Sequence, residues 1–344
     1  MGLFRLKAPE VRPEVMEFHR QQILVDLHVD VIIQRRLFGY NIRKKHEPWK
    51  RRQPLIWHAD IPRMVEGGYT LAALGLHYLQ KESPKGWREV RKQKEIAKSI
   101  ADEDPRTVWV ETAADIERAH EQGLLAMVPG VEGAHILNGN LEHLHEAREW
   151  GMLYLTISHF CKNQAATPGI GRGANPNDGL TSWGKELVQT LNELGIVVDV
   201  AHVNPAGVLD ACETTTQPLI ASHTCAMGYY QTRRGIPDDG LRAIAETGGV
   251  VGIIFSPHFL CGKLNASTDC IVRQARYLAD LIGPEHIALG SDFDGWIPSI
   301  PNDMRDCRDM PVLTQQLLDA GFSKDEVSGI LGRNFLRVLR AVRG

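Results

Sequence analysis

Two short motifs carry the first chemistry of the sequence: VDLHVD at residues 25–30 and PGVEGAH at 129–135. Residues two apart on an extended chain share a face, so His28 and Asp30 can offer an imidazole and a carboxylate to one divalent ion. Glu132 lies between Gly130 and Gly133, where the backbone can approach closely, and a carboxylate there can bridge two ions. His202 in VVDVAHV and His223 in LIASH each close an apolar run and would give nitrogen ligands to a second ion. Three His, one Asp and one Glu are a donor set without sulfur and too rich in nitrogen for magnesium. Zinc comes first, then manganese, iron or cobalt. Asp292 in SDFDG is placed to take a proton from a water held by such ions, whereas Asp294 reads as a turn or cap residue. Asp26 shares the face of His28 and Asp30 but lies deeper, and reads as a buried carboxylate that supports them. Any one of these residues alone has an ordinary structural reading as a hydrogen-bonded group. Their common place in the chain decides otherwise.

That place is the end of a β-rich run. Eight such runs recur: 23–30, 69–77, 125–132, 152–159, 196–202, 219–223, 250–256 and 286–292. Between them lie stretches of helical spacing, such as Leu187, Leu191 and Leu194, or Val272, Ala275, Ala279 and Ile282. Ser323 and Glu326 have capping-box spacing ahead of a final amphipathic helix. The pattern predicts an α/β fold, a (β/α)8 TIM barrel of one domain over residues 1–344. Insertions follow the first strand (Arg36 to Trp57) and the second (a helical stretch between Trp87 and Ala119). In such a barrel the chemistry lies at the C-terminal strand ends, where His28, Asp30, Glu132, His159, His202, His223 and Asp292 would converge.

Composition removes several other classes. With 39 Lys and Arg against 42 Asp and Glu, the formal charge is -3, and no basic face offers itself to a phosphate backbone. The one basic stretch, Arg43 to Arg52, is broken by Glu47 and Pro48 and reads as a solvated loop. No apolar run is long enough to span a bilayer, and the start lacks the apolar segment of a signal peptide. Gly2 is followed by Leu6 where a myristoylation signal needs Ser or Thr. The six cysteines form no CxxC pair, so reduced thiols and a cytoplasmic protein, with no nucleic-acid or membrane partner, are expected.

The motifs DLHVD, DIPRMVEGG, GVEG, LTISHFCKN, LGIVVDVAHV, SHTCA, RRGIPDD, GSDFDG and GRNFLRVL run in order from about residue 20 to 340. Together they resemble the renal (membrane) dipeptidase family, peptidase family M19 of the amidohydrolase superfamily. The resemblance implies two zinc ions per chain, one on His28 and Asp30, the other on His202 and His223, bridged by Glu132. It implies Asp292 as proton shuttle, His159 as the group that polarises the scissile carbonyl, and Arg234 as the partner of the substrate carboxylate. It further implies a dipeptide substrate, tolerance of a D-configured second residue, and a homodimer. Two positions depart from the family: Gly235 stands where Asn is usual, and Phe259 where an aromatic alcohol is expected. They keep open cleavage of N-acyl amino acids, lactones or phosphoesters. His77, in LGLHYL, is a further oddity and reads as a pocket-wall residue. A barrel retained as a scaffold without turnover is the reading from another class, and the intact ligand set argues against it. Trp49, Trp57 and Trp87, in or beside the insertions, are candidates for the pocket wall.

Overall fold

Eight strands of a computed structural model, which describes residues 9–47, 57–79 and 81–344, stand side by side in a nearly closed parallel barrel. Trp49, the Pro48 to Arg52 part of the basic stretch, Gly2 and Leu6 lie outside the described residues. In chain order the strands are β1 (Leu24–Val29), β2 (Tyr69–His77), β3 (Thr107–Trp109), β4 (Leu125–Glu132), β5 (Tyr154–Thr156), β6 (Val197–Asp199), β7 (Ile220–Thr224), β8 (Val250–Ile253) and β9 (Ile287–Leu289). The barrel runs β1-β2-β4-β5-β6-β7-β8-β9. The last gap is stitched above β9 by Asp292 N to His28 O at 3.0 Å and Asp30 N to Phe293 O at 2.8 Å.

The ninth strand corrects the sequence reading. The second insertion is not helical throughout: after the helix Lys85–Glu103 the chain forms β3, then the helix Ala113–Glu121. β3 pairs with the lower half of β4 (Leu125 to Met127), and β5 pairs with its upper half (Gly130 to Glu132). The first insertion likewise begins as a helix, Val31–Phe38, directly after β1.

Local chemistry explains the helix boundaries. Thr112 with Asp115 and Ser323 with Glu326 close reciprocal capping boxes, and the Thr181 and Asn204 side chains accept the first free amides of their helices. Leu187 and Leu191 are fully buried, as their helical spacing requires. Gly195 stops its helix at φ 65°, a conformation that suits glycine best.

What the barrel does for the site is visible in two neighbouring strands. The paired inward rows of β2 and β4 climb from Leu71 beside Ala126, through Ala73 beside Val128 and Gly75 beside Gly130, to His77 beside Glu132. The floor is apolar, the third layer lacks side chains, and the top layer is polar. The glycine layer makes room: a Cβ on Gly75 would collide with Asp30 Oδ1 and crowd His28 Nε2, and one on Gly130 would strike the Tyr154 ring.

Candidate metal centre

The polar layer gathers around the carboxylate of Glu132, which is 3% exposed. Its Oε1 lies 2.9 Å from His202 Nε2, 3.4 Å from His223 Nε2 and 3.8 Å from His28 Nε2, and its Oε2 lies 3.3 Å from His159 Nε2. Asp30 Oδ1 is 3.4 Å from His28 Nε2 and 3.7 Å from His77 Nδ1. Asp292 closes a group with His28 and Asp30 whose ligand atoms all lie within 4.8 Å of one another. All the ligands expected from sequence, with Asp292 and His159, therefore meet in one place.

Hydrogen bonds behind the ligands fix which nitrogen faces the centre. The Tyr154 hydroxyl donates to Leu27 O at 2.9 Å, so it must accept from His28 Nδ1 at 2.6 Å. The Ser222 hydroxyl donates to Asp199 Oδ2 at 2.7 Å, so it must accept from His223 Nδ1 at 2.9 Å. Each arrangement turns Nε2 inward, the orientation a metal ligand needs. His202 Nε2 lies only 3.0 Å from His223 Nε2 and accepts from Arg234 Nη2 at 3.1 Å. Two lone pairs so close repel unless positive charge sits against them.

The electrostatics ask for the same thing. Burial pushes the Glu132 carboxyl up to about 8 against the pull of His28, and burial with the charge of Asp30 does the same to Asp292, also to about 8. Burial drags His28 down, but Asp30 and Glu132 outweigh it and lift the imidazole to about 10. His159, His202 and His223 are held well below 6.5 by burial and stay neutral. His28 Nε2, Asp30 Oδ1 and His77 Nδ1 are buried without a hydrogen-bond partner. Oxygen and imidazole donors, orphaned and short of positive charge, fit divalent metal ions.

The centre also holds strain. His202 and Asp292 adopt φ values of 64° and 59°, a left-handed conformation costing about 1–3 kcal/mol where surroundings enforce it. These turns explain why β6 and β9 end three residues before His202 and Asp292, shorter than the sequence reading had them. β5 likewise ends three residues before His159. Above the ligands a cavity of about 260 Å³ opens between Ile33, Leu79, Phe160 and Trp296.

The remaining expectations divide. Asp26 is buried and accepts from the Ser291 and His28 amides at 2.8 and 3.2 Å, a supporting role as expected. Asp294 sits in a turn, as expected, but caps no helix: it is fully buried and accepts the His58 and Ala59 amides, tying the first insertion to the barrel mouth. Trp87 does not wall the cavity. It is buried, stacks on Trp150 at 4.7 Å and donates to Glu146. Neither Phe259, part of the helix Pro257–Cys261, nor Arg234 lines the cavity. Arg234 stands behind His202, with Nη1 buried and unpartnered. At Gly235 a Cβ would come within 2.9 Å of Cys225 O and 3.1 Å of Met227 N, so the packing leaves no room for Asn. Sequence reasoning missed Tyr154, Ser222, Asp199 and Trp296. Only VDVAH, with an Asp three residues before the ligand, carried any signal. All six cysteines are free, and no described helix is long and apolar enough to cross a membrane.

A family model described as membrane dipeptidase (peptidase family M19) matches residues 12–344. An uncharacterized dipeptidase of Schizosaccharomyces pombe is 35% identical over 216 residues, 62% of this chain and 52% of that relative, so the match spans about half the relative's length. Among solved structures, the probable dipeptidase PvdM of Pseudomonas aeruginosa superposes with a TM-score of 0.85 at 19% identity, covering 96% of this chain and 98% of the other. A metallopeptidase of Rhodobacter sphaeroides, liganded with a phosphinate mimic of the dipeptide L-Ala-D-Ala, superposes with a TM-score of 0.80 at 23% identity, covering 93% and 99%. At these identities the superpositions establish the fold.

Proposed function

Because the chain belongs to the membrane dipeptidase family, peptidase family M19, we propose that it hydrolyses the amide bond of dipeptides, L,D-dipeptides among them, with two zinc ions. The reading rests on one observation: three imidazole nitrogens and a fourth from His159 surround the two oxygens of a single buried carboxylate, Glu132. His28 and Asp30 would hold one ion, His202 and His223 the other, and Glu132 both. When bound, the ions supply Lewis acidity, polarising the carbonyl and making water nucleophilic near neutral pH.

The rest falls to the chain's own side chains. Asp292, held in its left-handed turn beside Asp30, takes the proton of the attacking water and returns it to the leaving amine. His159, kept neutral by burial, offers an N–H to the carbonyl oxygen as charge develops there. Arg234 keeps the role of carboxylate partner only as the family resemblance implies it, since it stands behind His202 and outside the cavity lining. A cavity of about 260 Å³ lies just under the ~300–1,000 Å³ usual for drug-sized ligands and suits a pair of amino-acid residues. The phosphinate dipeptide mimic bound by the Rhodobacter sphaeroides relative supports an L,D-substrate.

The test is a panel of L,L- and L,D-dipeptides beside N-acyl amino acids, a lactone and a phosphoester, assayed on zinc-loaded protein. Dipeptide turnover abolished by a chelator and restored by zinc is expected. Turnover confined to the acyl amino acids, lactone or phosphoester would overturn the substrate assignment, and activity indifferent to chelation would overturn the metal.

A further inference from the structure

His77 stands in the same polar layer as the ligands, yet hydrolysis by Asp292 and His159 makes no use of it. It is 3% exposed, and its Nδ1 is buried without a hydrogen-bond partner. The strand register puts it directly beside Glu132, so the two side chains share the inner face of the barrel. Its backbone is clamped: Gln93, itself 1% exposed, donates to His77 O at 2.8 Å and accepts from His77 N at 3.3 Å. The clamp fixes the backbone from which the ring enters the centre.

The spacing shows what the ring faces. His77 Nδ1 lies 3.7 Å from Asp30 Oδ1, too far for a hydrogen bond. Two donors each about 2.1 Å from one tetrahedral zinc stand about 3.4 Å apart. His28 Nε2 to Asp30 Oδ1 is 3.4 Å, so the His77 contact belongs with ligand pairs. Asp30, His77 and Glu132 also form a group whose ligand atoms all lie within 4.8 Å of one another. Gly75, two residues earlier on the same face, is the reason the room exists, since a Cβ there would collide with Asp30.

We propose that His77 Nδ1 is a further protein ligand, joining Asp30 and Glu132 around one divalent cation. The proposal rests on the metal reading above and adds nitrogen to the side of the centre that otherwise holds mainly carboxylate. A stronger preference for zinc or cobalt over manganese at that position follows.

The experiment measures metal, not turnover. Cobalt and zinc affinities of the wild type, His77→Ala and His77→Cys are compared by competition with a chromophoric chelator, alongside thermal unfolding of each metal-free protein. Loss of a group that only orients a ligand costs about 10- to 100-fold in affinity. His77→Ala is expected to weaken one ion by at least that factor and to spare the other. In His77→Cys loaded with cobalt, a thiolate-to-cobalt charge-transfer band absent from the wild type is expected, because the sulfur would occupy the ligand position. Wild-type loading of two ions with both variants unchanged in affinity and spectrum, or a change only in KM for dipeptides, would overturn the proposal and leave the dipeptidase reading standing. A wild type that takes up no divalent metal would defeat both.

Discussion

Two clusters of buried charge among the described residues are built on opposite terms. Around Arg63, which is fully buried, every guanidinium nitrogen has a partner. Nε donates to Asp60 Oδ2 at 2.7 Å, Nη1 to Asp306 Oδ2 at 2.8 Å, and Nη2 to the Tyr40 hydroxyl at 2.8 Å, with Trp57 O shared between the two Nη atoms. Arg308 brings a second guanidinium to Asp306 and reaches the Glu47 carboxylate with its Nη atoms, so two cations face three carboxylates. Around Glu132, Asp30, Glu132 and Asp292 meet imidazoles that burial keeps mostly neutral, three donor atoms are orphaned, and two residues sit in left-handed turns. A closed set of charges locks the first insertion against the barrel. An open set is a place for something else to bind.

The contrast can be broken by substitution. Glu132→Ala removes the one group common to all the imidazoles and should release metal and lower kcat/KM by more than ~10³-fold, the several kcal/mol a metal contributes. Metal content and dipeptide turnover, measured together, check it. Asp292→Asn should keep the metal and lose about 10²- to 10⁴-fold in kcat, and full activity in that variant would remove Asp292 from proton transfer. Arg63→Met should do the reverse. Stranding Asp60 and Asp306 in the interior costs about 3–5 kcal/mol of stability, while the folded fraction binds metal as before, read by denaturant melts and metal titration.

A weaker effect is expected in the pH dependence of stability. Burial raises the Asp306 carboxyl, but hydrogen bonds from Arg308 and the charge of Arg63 outweigh it and hold it below the ordinary 3.8. A folded value below the unfolded one gives stability that is whole above about pH 4 and is lost as pH falls through the folded value. Asp306→Asn should therefore flatten the acid limb of the stability curve below pH 4. An unchanged acid limb would show that the closed cluster contributes nothing to it.

Much of the open cluster was legible in the sequence because strand geometry is simple. His28 on one strand with Asp30 just past its end, and Glu132 at the end of another, need only a period of two and a barrel to meet. The turns at His202 and Asp292 were not legible, since nothing local distinguishes a strand that continues from one that bends left-handed. β3 was hidden because three residues between two helices carry no periodicity, and its partner edge on β4 is set by the fold. The closed cluster escaped for another reason. DIPRMV and the CRD around Asp306 and Arg308 lie about 240 residues apart, and charge pairing over that distance leaves no trace in either segment. His77 does line the cavity, as the sequence suggested, but its register beside Glu132 exists only once the strands are aligned.

The central claim is that divalent ions sit on either side of Glu132. Zinc-loaded crystals measured on both sides of the zinc absorption edge test it directly. Two anomalous peaks are expected, each about 2.0–2.2 Å from a Glu132 oxygen, one beside His28 and Asp30 and the other beside His202 and His223. A map without peaks there, or with zinc bound only elsewhere on the protein, would contradict it.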